Sequence, residues 1–212
     1  MLEAFLLAAA LAGALALQPW RLLRRDPSVG QTTPMLGTLA LLPFVWGVPF
    51  HGERPMALCA SGACLVVLTV GWPLAVPLLA AVGLIVWQLD ALPAAQALAT
   101  TVWLGIVPAT LALALGWAVR RWLGTHALTY LAGRAYFGTM LCSFIGMLAA
   151  YLLHGAAASG PTVTHMLALG LVSVAEAAVT AGVVVLLVTC LPRAVATWSD
   201  RLYLKPAVPE GG

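Results

Sequence analysis

The chain of 212 residues is 62% hydrophobic and only 8% charged, with a mean hydropathy of +1.01. That excludes an ordinary soluble domain, because a core of this size cannot hide so much apolar surface. The net charge of +3 would suit nucleic acid only as a continuous basic stripe, and the basic residues are instead spread over loop ends, so no nucleic-acid partner is expected.

Read in chain order, the apolar runs predict an all-α polytopic membrane protein with seven transmembrane helices, since about 20 apolar residues cross a bilayer. The first span runs from about Leu2 to Trp20 and stops at Arg21, Arg24 and Arg25. Its positive charge follows the apolar run, which favours a retained helix; the small residues around Ala14 to Leu17 leave cleavage as the alternative. Turn residues from Asp26 to Pro34 lead to a second span, about Met35 to Phe50, ending at His51-Gly-Glu-Arg-Pro55. The third covers about Met56 to Trp72, and Gly71-Trp-Pro73 makes a tight turn into the fourth, Leu74 to Leu89. The fifth runs from about Gln96 to Val119 and stops on Arg120 and Arg121. Trp122 to Arg134 reads as an amphipathic interfacial helix before the sixth span, about Ala135 to His154. The seventh runs from about Thr164 to Leu191. Residues 1–205 form one transmembrane domain, and 206–212 a short tail.

Every Lys and Arg except Arg54 falls in one of three clusters: Arg21, Arg24 and Arg25; Arg120, Arg121 and Arg134; Arg193, Arg201 and Lys205. Basic loops stay on the cytoplasmic side. With seven crossings this puts the amino terminus outside and the carboxyl terminus in the cytoplasm, in a bacterial inner membrane. Pro43, Pro49, Pro77 and Pro108 lie in or near apolar runs, where each frees a backbone carbonyl that something else must satisfy. Broken helices of this kind line binding sites in some transporters, and elsewhere are simply kinks.

Glu176 lies midway along the seventh span, and an intramembrane carboxylate calls for a function or a buried partner. The structural alternative is a protonated side chain bonded to Ser173, Thr180 or another helix. His165 precedes it by eleven residues, on nearly the same helix face but about 16 Å away along the axis. That separation suits a path inwards rather than joint ligation of one ion. The outer ends gather His51, Glu53, Met56, Cys59, Asp90, His154 and Met166. Imidazole, thiolate and thioether together suit soft or borderline metals such as copper. The candidate metal set is therefore His51, Met56, Cys59, His165 and Glu176, although Met and Cys are also ordinary apolar fillers. The cysteines lack the paired spacing of a zinc knuckle or a disulfide framework. No Walker A sequence, nucleophile elbow or His-Glu-x-x-His motif is present, so no catalytic residue and no resident cofactor are expected; the chain is not read as an enzyme. Small residues on the sixth and seventh spans, including Gly138, Ser143, Gly146, Ala177 and Gly182, predict close helix packing.

The segments Glu176-Ala-Ala-Val-Thr-Ala-Gly182, Leu191-Pro-Arg193 and Ala196-Thr-Trp-Ser-Asp-Arg-Leu-Tyr-Leu204 resemble the CbiM/NikM permeases, as do Gly71-Trp-Pro-Leu-Ala75, His126-Ala-Leu-Thr-Tyr130 and Tyr136-Phe-Gly138. These short hydrophobic motifs cover about the last two-thirds of the chain. The family supplies the substrate-specific components of energy-coupling-factor importers for cobalt and nickel. The resemblance implies a seven-span fold with an outside amino terminus, and as partners an energy-coupling transmembrane subunit and ATPases. This chain departs from the family at Met1-Leu-Glu3, where the amino-terminal His ligand set is missing. Cys59 stands where related sequences carry a His, which favours a softer ion. Two functions follow. One is a permease-type component importing a transition-metal ion such as copper, nickel or cobalt as its solute. The other is a non-transporting accessory or assembly subunit of a larger membrane complex, such as a respiratory or copper enzyme.

Overall fold

The computed structural model describes residues 1–18, 32–47, 59–89, 92–124, 126–155, 163–191 and 194–198. Among them the chain is all-helical, with no strand: α1 (Leu2–Ala16), α2 (Thr32–Gly47), α3 (Ala63–Val70), α4 (Trp72–Gln88), α5 (Ala94–Trp122), α6 (Thr129–His154) and α7 (Val163–Cys190). Three of these, α5, α6 and α7, are long and apolar enough to cross a membrane, at 29, 26 and 28 residues. At 1.5 Å per residue each reaches about 40 Å, more than the roughly 30 Å of a hydrocarbon core. α1 and α4 are shorter apolar helices, of 15 and 17 residues. The clusters at Arg21 to Arg25 and from Arg193 onwards, like Arg54, lie outside the described residues.

Large apolar side chains lie on the outside of the helices as well as in the core. On α7 the buried face carries Ser173, Glu176 and Thr180, while Leu167, Leu171, Val179 and Leu186 point outward. Water would drive such leucines inward; hydrocarbon leaves them outside and gathers the polar groups within. This is consistent with a membrane protein.

Two expectations are corrected. Among the described residues of the third span, expected over about Met56 to Trp72, the helix runs only from Ala63 to Val70, and Trp72 already opens the next one. Residues 59–62 are non-helical because Ser61-Gly62 breaks the run, with Gly62 in the left-handed region at φ 67°. The amphipathic stretch ending at Arg134 is not a separate interfacial helix: from Thr129 it is the first part of α6. Its apolar side packs inward through Tyr130 and Ala135.

α5 and α6 run antiparallel: the end of α5 packs on the beginning of α6, and its π-helical stretch Thr101–Ile106 on the middle of α6. α7 returns along α6. One end of the bundle holds Arg120, Arg121 and Arg134 with a cluster of Leu68, Tyr130, Ala135, Val184, Val195 and Trp198. The other holds a cluster built on Trp103, Met147, Tyr151 and Leu169, where His154 pairs with Glu3 at 3.2 Å. Close approach depends on residues without side chains. A Cβ at Gly83 would collide with Thr101, and one at Gly146 would meet the Trp103 carbonyl oxygen at 2.6 Å. These contacts press α4 and α6 against the same π-helical stretch of α5, and so fix the walls of the interior described next.

Candidate functional site

The Ser61-Gly62 break places the two amides that lead into a helix in the middle of the bundle. Helix starts leave their N–H groups without intrahelical partners, and in an apolar interior each must find an acceptor. Here both find Glu176: the Ser61 amide donates to Oε2 at 2.9 Å and the Gly62 amide to Oε1 at 2.8 Å. The carboxylate is 7% exposed and Ser61 0%. Both amide dipoles, and the positive end of α3 behind them, point at the carboxyl group.

Two further helices converge on Ser61. Its hydroxyl donates to the Leu104 carbonyl at 2.5 Å and accepts the Ala63 amide at 3.2 Å. Pro108, which has no N–H, stands four residues after Leu104, where an α-helical partner for that carbonyl would be. The freed carbonyl expected at a proline in an apolar run is thus satisfied at this position by a serine from a broken helix. The indole Nε1 of Trp46 on α2 donates to the Ser61 carbonyl at 3.1 Å, and its ring lies where a Cβ on Gly105 would approach it at 3.0 Å. α2, α3, α5 and α7 are therefore tied together through one serine and one glutamate.

Beside this knot are two buried thiols, Cys64 in the first turn of α3 and Cys142 on α6, facing each other where the two helices meet. Ser143, fully buried, stands next to the carboxylate but outside hydrogen-bonding geometry. Ser173, one of the partners expected for Glu176, donates instead to its own Leu169 carbonyl at 2.7 Å.

The nominated metal donors divide into separate groups. Glu176 is central. His165 lies against the Tyr151 ring, centroids 5.0 Å apart, at the Glu3–His154 end. Cys59 and Met166 pack against the cluster that contains Tyr151, so they share that neighbourhood with His165. His51 and Met56, with Glu53 and Asp90, lie outside the described residues. Among the described residues no group of three or more His, Cys, Asp or Glu is placed to hold a metal ion.

An ionised carboxylate offers about four acceptor sites. Two are taken by the Ser61 and Gly62 amides, one on each oxygen, so an arriving cation or proton would share those oxygens with them. The residues that organise this centre, Ser61, Gly62 and Trp46, were not singled out by sequence reasoning. The available signal was a Ser-Gly pair inside an apolar run, a breaker that a count of hydrophobic residues passes over. Compared with protein-family models, curated proteins and solved structures, the chain matches none.

Proposed function

We propose that this chain is the permease-type, solute-binding component of an importer, resembling the energy-coupling-factor permeases, and that it carries a transition-metal ion. The observation that supports this reading is the Glu176 carboxylate joined inside the bundle to the start of an interrupted helix. Discontinuous helices whose ends meet at mid-membrane are a recurrent architecture of transporter binding sites. In this reading the ion enters from outside past His51, Met56, Cys59 and His165 and is exchanged at Glu176. Binding there shares the oxygens that hold the Ser61 and Gly62 amides, so occupancy and the position of α3 are coupled. The protein spans a bacterial inner membrane seven times with its carboxyl terminus in the cytoplasm, where an energy-coupling subunit and ATPases supply the work that this chain has no motif to perform. The described arginines, Arg120, Arg121 and Arg134, gather at one end of the bundle, in keeping with that orientation. The test is accumulation of copper, nickel, cobalt and zinc in cells with and without the gene, and with Glu176→Ala. Uptake unchanged for every metal sinks the proposal.

A second reading is favoured by one observation. α7 presents outward a stripe of Ala175, Ala178 and Gly182, and nothing lies within 4 Å of a Cβ built on Gly182. Such a face admits another helix closely, as an accessory subunit of a larger membrane complex would require. Purification in mild detergent separates the two: a stoichiometric membrane enzyme as companion supports the second, and a lone monomer counts against it.

A further inference from the structure

Helix α3 has only eight residues, Ala63–Val70. A helix so short has little stability of its own, so its place is set by what holds it. Its sides meet α2, α4, α5 and α6 largely through small apolar side chains such as Val66, Val67 and Val70. Its ends are held by directional hydrogen bonds.

Both ends are held by the same piece of chain. At the start, the Ser61 and Gly62 amides bind Glu176 of α7. At the finish, Gly71 turns the chain at φ 83°, and Pro73 lacks the N–H that would have reached the Thr69 carbonyl. The segment following α7 supplies the missing donors. The Ala196 amide donates to the Thr69 carbonyl at 2.8 Å, and the Thr197 amide and hydroxyl donate to the Leu68 carbonyl at 3.3 and 2.8 Å. With the Thr197 proton committed to Leu68, Tyr130 must donate its own hydroxyl to Thr197, at 2.7 Å. Trp198 packs edge-on against the Tyr130 ring, centroids 5.0 Å apart, and the Arg134 guanidinium lies 5.9 Å from that centroid.

We infer that α3 is a bar latched at its start by Glu176 of α7 and at its end by residues 194–198, and that this second latch, locked by Tyr130 and Thr197 at the arginine-bearing end, controls whether the bar stays seated on Glu176. Loosening the far latch removes the acceptor-side restraint on α3 and lets its first turn draw away from the carboxylate. The device is independent of which solute, if any, the chain carries.

Cys64 reports on it directly, being buried at 1% exposure two residues after Gly62, while Cys142, also at 1%, sits on α6 beside it. The experiment uses the full chain in detergent, in two backgrounds: one retaining only Cys64, the other only Cys142. Into each go Tyr130→Phe and Thr197→Val together, and the rate of modification by N-ethylmaleimide is followed. Loss of the hydroxyl contacts should raise Cys64 labelling about tenfold, with a clearly smaller rise at Cys142, which loses cover only on the side that faces α3. Thr197→Ser with Tyr130 intact, which keeps the hydroxyl, should restore protection. Unchanged Cys64 labelling, or an equal rise at both thiols that reports general loosening, overturns the inference.

Discussion

Glu176 accepts the backbone amide of Ser61 at 2.9 Å across 115 positions of sequence, and with the neighbouring Gly62 amide this is where a broken helix is joined to the longest uninterrupted apolar one. A buried carboxylate bonded to backbone amides has a partner that side-chain substitution cannot remove.

Glu176→Gln keeps one acceptor but turns a second donor towards an amide, leaving a buried N–H without an acceptor. That costs about 1–3 kcal/mol. Glu176→Ala strands both amides and should cost more. Thermal unfolding in detergent should rank wild type above Gln above Ala; a Gln variant as stable as wild type contradicts the role given to both amides.

Gly62→Ala carries two separable penalties. At φ 67° a Cβ is strained, and it would also lie 2.7 Å from the Leu42 Cδ1 atom. The expected loss is about 1–3 kcal/mol. Leu42→Ala in the same chain should relieve the collision but not the strain, so the double variant should be less destabilised than the two single changes added together. Strict additivity would show that Leu42 yields without cost.

Ser61→Ala leaves the Leu104 carbonyl without its donor, at about 1–2 kcal/mol. Pro108→Ala provides an additional amide four residues after Leu104. In the Pro108→Ala background the Ser61→Ala cost should therefore shrink, giving a measurable coupling in a double-mutant cycle. No coupling would mean that the carbonyl finds no partner in α5 even when one is offered.

The Glu3–His154 pair at 3.2 Å is different in kind. Its side chains retain 18% and 38% of their exposure, so solvent screens it. His154→Ala should lower stability by less than about 1 kcal/mol. A larger loss, read from the same unfolding curves, would show that this rim contact holds α1 to α6 far more firmly than exposed pairs usually do.

The sequence by itself determined the membrane character, the all-helical class and the approximate place of most helices, because each of these depends on local hydrophobic runs and on the breakers between them. It also marked Glu176, since a carboxylate midway along an apolar run is conspicuous without knowledge of its neighbours. It could equally have marked the Ser61-Gly62 break, which lies within a single short stretch of chain but is weak against the apolar background of the third span. What only the tertiary structure decided is which groups meet. Glu176 bonds the backbone amides at the Ser61-Gly62 break rather than Ser173, a choice the sequence does not display because every residue but proline carries an amide. The carbonyls of Leu104 and Thr69 were left open by Pro108 and Pro73, yet their donors came from Ser61 and Ala196, far along the chain. The hydrophobic pattern makes helices apolar enough to cross a bilayer; the backbone groups left open by glycine and proline settle how those helices are fastened to one another.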